Sequence, residues 1–219
     1  MSAKITRIPN WPLDSSGVAP NFAAPYTIGD IIKPYGTPAP GEIYTSEDGS
    51  IFIGCVVPTA LTGAGNVSGE VSGSTAGAGQ PVKITEPVAT SAWSGGATGF
   101  ATAKAWPEAI LIPSSTQTNL KLGICTRNVT AADVAAGNNL AWVQIAGPSI
   151  ALVCGGTTAI AVGDTLKVVQ GAVDLIHNDA AGTITNYLFA MAIALEAITT
   201  GTTYTLRKVL LLNKLANIA

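Results

Sequence analysis

Apolar and polar residues alternate in short runs along most of this 219-residue chain, and glycine, proline or Ser/Thr/Asn clusters separate the runs. Period-two alternation bounded by turn residues predicts half-buried strands. The runs are SIFIGCVV (ended by Pro58), PVKITEPVAT (81–90), EAILIP (108–113), LKLGICT (120–126), LAWVQIA (140–146) and SIALVCG (149–155). The polar SSTQTN makes 108–113 and 120–126 a predicted hairpin, and Gly147-Pro148 separates the last two runs. Further on, 159–176 holds two strands about the turn QG, and TYTLRKVLLLN (203–213) forms another. YLFAMAIALEAI (187–198) has Ala, Leu and Met that suit a helix, but turns on both sides favour a buried strand. One short helix is predicted: Thr130 and Asp133 form a T-x-x-D cap, Ala131 to Ala136 follow, and Gly137-Asn138 stop it. The pattern predicts an all-β chain whose body is a β-sandwich or barrel. No repeat of fixed period is visible.

Residues 1–50 differ from the body, 51–219. Seven prolines fall here (Pro9, Pro12, Pro20, Pro25, Pro34, Pro38 and Pro40) of 13 in the chain. Proline lacks a backbone donor and drives its predecessor to extended geometry, which predicts an extended Pro-rich N-terminal arm. Apolar side chains recur along it, and Ile8, Trp11, Leu13, Phe22, Tyr26, Ile31 and Tyr35 are the candidate anchors for a partner surface. An arm wrapped on its own body is the competing reading. Within the body, 58–107 is rich in Gly, Ser and Thr and reads as loops or a small lobe. Its GAGNVSG stretch has Ser68 where a dinucleotide-binding loop needs its third glycine.

Only 11% of residues are charged, against roughly 25% in average domains, and the net charge is −2. A charge-poor surface suits an assembly subunit. The 11 Lys and Arg residues are dispersed, so no cluster stands ready to neutralise a nucleic-acid backbone. No apolar run approaches the ~20 residues a membrane-spanning helix needs. MSAKITRIPNWPL lacks the apolar core of a signal peptide, so cytoplasmic synthesis is expected. Cys55, Cys125 and Cys154 each lie in an apolar run, as structural thiols do.

The sequence offers little for catalysis. Its single histidine, His177, sits in the turn-like LIHNDAAG, and no nucleophile elbow or metal-ligand grouping is present. The expectation is therefore a non-enzyme without metal or cofactor. Glu196 is isolated in an apolar run and needs a partner there, for which Arg207 or Lys208 on the following strand are placed. Gly163-Asp164 reads as a structural turn before TLKVV.

Three segments then occur in succession: WVQIAGP (142–148), AVGDTLKV (161–168) and AMAIALEAITTGTTYTLRKVLLL (190–212). Together, over roughly 120–215, they resemble the small β-domain of tailed-bacteriophage capsid decoration (cement, head-stabilising) proteins. There, a strand ending in glycine leads to a G-D-x-L turn, an A-L-E-A strand and a closing V-L-L strand. Here Ala192 or Ala194 replaces the glycine usual before A-L-E-A, and the closing strand is longer. The resemblance implies a structural virion protein on the capsid exterior, assembled in the host cytoplasm. It also implies binding to the major capsid protein and to itself as a homo-oligomer, a trimer being favoured and a dimer possible. Two alternatives stand beside it. A tail- or fibre-associated module would present the loops at 61–80 and 91–105. A carbohydrate-binding β-module would expose Trp93, Trp106 and Trp142.

Overall fold

The computed structural model describes residue 26 and residues 28–58, 77–85, 107–110, 121–156, 158–168, 175–177, 190–200 and 205–212. They form ten strands, one short α-helix and one 3-10 turn (Ile28–Asp30): β1 (Ile43–Thr45), β2 (Ile51–Val56), β3 (Pro81–Thr85), β4 (Glu108–Ile110), β5 (Leu122–Cys125), α1 (Ala131–Ala135), β6 (Leu140–Cys154), β7 (Thr165–Val168), β8 (Leu175–His177), β9 (Ala190–Ala194) and β10 (Thr205–Leu211). The chain is all-β, as its alternation predicts. The run 187–198 resolves to the strand β9, and α1 is entered through a complete Thr130–Asp133 capping box.

The strand pairings close into two rings. In the first, β2 pairs β4 in parallel, β4 pairs β3, β3 pairs β5, β5 pairs β6, and β6 returns to β2. In the second, β6 pairs β8 in parallel, β8 pairs β7, β7 pairs β9, β9 pairs β10, and β10 returns to β6. These are two five-stranded barrels with one topology. They share β6, whose first half closes the first barrel and whose second half opens the next. Ring closure leaves neither barrel with a raw edge of its own.

The equivalence extends to register. Lys83 faces Ile110 as Lys167 faces Ile176, and Ile124 faces Gln144 as Ile193 faces Leu210. Gly79 N–H donates to Cys125 and Cys125 N–H to Gln80, at 2.8 and 2.9 Å, just as Gly163 donates to Ala194 and Ala194 N–H to Asp164 at 2.9 and 2.8 Å. The cores correspond position by position: Cys55, Val57, Val82, Cys125, Val143 and Ile145 in the first barrel stand where Ala151, Val153, Leu166, Ala194, Val209 and Leu211 stand in the second. Val129 fills out the first core and Ile198, its counterpart, the second.

Several expectations are corrected. The runs 140–146 and 149–155 form one 15-residue strand, because Gly147-Pro148 lies where β6 leaves one barrel for the other. Gly147 takes φ +90°, and a Cβ there would stand 2.7 Å from Ser50. Gln144 Nε2 holds the bend, donating to the carbonyls of Pro148 at 2.6 Å and Ala146 at 3.2 Å. The hairpin predicted from 108–113 and 120–126 does not form, since β3 lies between β4 and β5. His177 closes strand β8 and pairs with Leu166 instead of lying in a turn. The described part of 58–107 supplies β3 to the first barrel, and β5 and the first half of β6 belong to the same barrel.

Candidate interaction surface

The last part of the arm is a strap on its own body. Ile31 is buried in a cluster with Ala78, Ile150, Leu152 and Leu206, and Tyr26 and Ile28 pack at its margin. Ala78 belongs to the first barrel, while Leu152 and Leu206 belong to the second, so Ile31 seals the joint between them. The chain then runs back along β6. Trp142 Nε1 donates to the Gly36 carbonyl at 3.3 Å, and Pro38 and Ala39 lie over Gly54. Gly54 exchanges main-chain hydrogen bonds of 2.8 Å with Gly41 and Glu42, and β1 continues this pairing along β2. The turn from β1 to β2 is held by Asp48, which accepts from Ser46 and from Ser50 N–H. Burial alone would raise the Asp48 carboxyl, but these hydrogen bonds together outweigh it and hold its pKa below the usual range.

The strap is latched at Tyr26. Glu196, buried in the bend two residues beyond β9, accepts the Lys208 N–H at 3.0 Å. Arg207 Nη1 lies 4.0 Å from the same carboxylate oxygen, the outer limit of ion pairing, while its Nε donates to Thr205. Lys208 Nζ stands 5.2 Å from the centre of the Tyr26 ring. Burial raises the Glu196 carboxyl above the ordinary glutamate value, and the Lys208 N–H and the two cations offset only part of that. Burial, with the adjacent Glu196 charge, pushes Tyr26 up to about 12.

Of the candidate anchors for a partner surface, Tyr26 and Ile31 pack on the chain's own body, the competing reading of the arm. Tyr35 is fully exposed, and Ile32 is 54% exposed beside it. Ile8, Trp11, Leu13 and Phe22 lie outside the described residues. Glu196 and Arg207 come together as described, and Gly163 adopts φ +92° in a turn where Asp164 Oδ2 accepts Ala161 N–H at 2.8 Å. Trp142 lies buried beneath the strap, which removes one of the three platforms a carbohydrate-binding face would use, and Trp93 and Trp106 fall outside the described residues. Gly77–Gln80, at the end of one proposed contact loop, is buried in the joint.

Sequence reasoning missed β1. The signal for β1 was present in IYTSEDGSIFI, an alternating pair of runs around a turn, but it lay inside a segment read as arm. Among the described residues no three His, Cys, Asp or Glu side chains are grouped to hold a metal, and no helix is long and apolar enough to cross a membrane. No family model, curated protein or solved structure matches this chain.

Proposed function

We propose that this chain is a structural decoration protein that binds the exterior of a phage head through its strap and stabilises the shell. The observation that carries this reading is the strap itself: Ile31 and Trp142 hold it firmly, yet Tyr35 projects fully into solvent with Ile32 beside it. An aromatic and an aliphatic side chain presented on fixed backbone bind with little ordering cost. The major capsid protein is the partner, as the resemblance of WVQIAGP, AVGDTLKV and the A-L-E-A to V-L-L succession implies. WVQIAGP lies in the part of β6 that closes the first barrel, the other two segments supply β7, β9 and β10 of the second, and the two barrels share one topology. Both barrels are filled by aliphatic side chains and serve as rigid spacers, a role that needs no catalysis.

Co-sedimentation with purified expanded heads of the encoding phage tests the reading. Wild-type chain pellets with heads, and the doubly substituted Ile32→Ser, Tyr35→Ala chain stays in the supernatant. Normal decoration by the double variant would reject the strap surface, and failure of the wild type to bind heads would reject decoration itself.

A further inference from the structure

The duplication extends past the strands to the residues beyond β5 and β9. Thr126 N–H donates to the Trp142 carbonyl at 3.1 Å, just as Leu195 N–H donates to the Lys208 carbonyl at 3.1 Å. Arg127 is therefore the counterpart of Glu196, Trp142 of Lys208, and Ala141 of Arg207. In the second barrel this place is electrically complete. The Glu196 carboxylate accepts the Lys208 N–H at 3.0 Å, and Arg207 Nη1 lies 4.0 Å from the same oxygen. In the first barrel a guanidinium stands at the carboxylate's position, and the uncharged Ala141 at that of Arg207. Gly54, opposite Trp142 on β2, turns both its main-chain groups to the strap, so Trp142 turns its own toward Thr126. Its carbonyl is used there, but its N–H, counterpart of the one Glu196 takes, meets no acceptor among the described residues.

Trp142 lines a cleft of about 400 Å³ between the strap and the end of the first barrel, within the usual size range of ligand sites. Arg127 and Lys33 bring two positive charges to it. Arg127 Nη2 donates to the Asn138 carbonyl, while its Nε is buried without an acceptor. Among the described residues neither cation has a carboxylate within ion-pairing distance. Both act on one buried group: burial pushes the Cys125 thiol up to about 11, and the Arg127 and Lys33 charges pull against it. Asp133 is the one carboxylate among the lining residues, and its Oδ2 already accepts the Thr130 N–H and hydroxyl at 2.8 Å each. Two cations against this carboxylate leave one positive charge.

We infer that this cleft binds a carboxylate from outside the chain, which accepts the Trp142 N–H and pairs with Arg127 and Lys33, as Glu196 takes the Lys208 N–H beside Arg207. One net positive charge beside Asp133 suits a monoanion and opposes a dianion such as phosphate. The carboxylate comes from a peptide's free C-terminus or from an acidic side chain, which share this chemistry. The site uses neither Ile32 nor Tyr35, so it stands or falls separately from head binding.

Amide-resolved NMR titration of the isotopically labelled full chain at constant ionic strength tests it, with acetate as the first probe, acetamide as its neutral counterpart and inorganic phosphate as the dianion. The Trp142 amide resonance should move saturably with acetate, stay still with acetamide and respond more weakly to phosphate. Arg127→Gln should weaken acetate binding about tenfold, the loss of one charge-assisted hydrogen bond. Lys33→Gln, on the exposed strap, should weaken it about threefold and tests the site even if the Arg127 variant fails to fold. N-acetylglycine and the α-methylamide of N-acetylglutamate then present the two sources, and the tighter of them names the one the cleft takes. A Trp142 resonance that ignores acetate or follows acetamide equally would overturn the inference. So would tighter binding of phosphate, or acetate binding unchanged by Lys33→Gln.

Discussion

Ala39 lies so close over Gly54 that any side chain at residue 54 collides with its carbonyl oxygen and with Pro38 Cβ. Gly54 sits in mid-strand, where glycine is ordinarily a weakness. Its presence is explained by the strap, which crosses β2 at that point and exchanges main-chain hydrogen bonds with it. Gly54→Ala should therefore lift the strap and destabilise the fold by about 1–3 kcal/mol, the usual cost of overpacking. Urea denaturation measures the loss, and limited proteolysis should show new cleavage at residues 32–42. An unchanged proteolytic pattern would mean that the strap does not depend on this contact.

The paired turns before β3 and β7 separate backbone strain from packing. Gly79 and Gly163 have φ +82° and +92°, so alanine at either position costs about 1–2 kcal/mol for left-handed backbone alone. At Gly79 the new Cβ would also meet Leu206 Cδ2 at 2.5 Å, whereas at Gly163 it meets nothing within 4 Å. Gly79→Ala should accordingly destabilise more than Gly163→Ala by about 1–3 kcal/mol. Equal losses from the two substitutions would show that strain alone accounts for both.

The latch makes stability depend on pH in two windows. Glu196 has a folded pKa above the ordinary value of 4.5, so the folded chain holds this proton more tightly than the unfolded one. Its stabilising contribution is full below 4.5 and is lost as pH rises through the raised folded value. Tyr26 repeats this at high pH, with loss between 10 and about 12. Asp48 has the opposite sign: its folded pKa is lowered, so its contribution is present above 3.8 and lost as pH falls through the lowered value. Glu196→Gln should flatten the first window in a stability-against-pH profile and leave the acid limb of Asp48 in place. A Glu196→Gln profile that still falls above pH 4.5 as wild type does would assign that slope to other groups.

The strands were legible because their residues alternate locally, and the Thr130–Asp133 cap because all its groups lie within one turn. Glu196 and Arg207 were legible for a related reason: an isolated carboxylate in an apolar run needs a partner, and a short hairpin limits the choices. Strand order was not legible. Placing β3 between β4 and β5 depends on contacts between segments far apart in the chain, and no turn residue encodes them. The duplication was hidden by unequal connections, since Val57 corresponds to Val153 but Ile110 to Ile176. Equivalent core positions also differ in residue type, as with Cys55 and Ala151. Gly147-Pro148 reads locally as a break, and only the change of partners along β6 shows why the strand continues through it. Ile31 and Tyr35 look alike as apolar points on an extended arm, and only the position of the barrel joint distinguishes the buried one from the exposed one.

Sharing β6 has a thermodynamic consequence. Two barrels joined by a linker would unfold separately, but neither barrel here closes without β6, and Leu122 and Ile124 of β5 also pack into the second core. Ile145 and Leu211 hold equivalent positions in the two cores, 3% and 4% exposed. Truncating either to alanine should cost about 2–5 kcal/mol. If the barrels form one cooperative unit, Ile145→Ala and Leu211→Ala each shift a single transition by similar amounts, and the calorimetric enthalpy equals the van't Hoff enthalpy in both variants. If they are independent, each substitution splits the transition and moves only one component. Differential scanning calorimetry distinguishes these outcomes. The continuous ladder of β6, paired to β2 over Phe52–Val56 and to β10 over Thr205–Leu211, predicts the single transition.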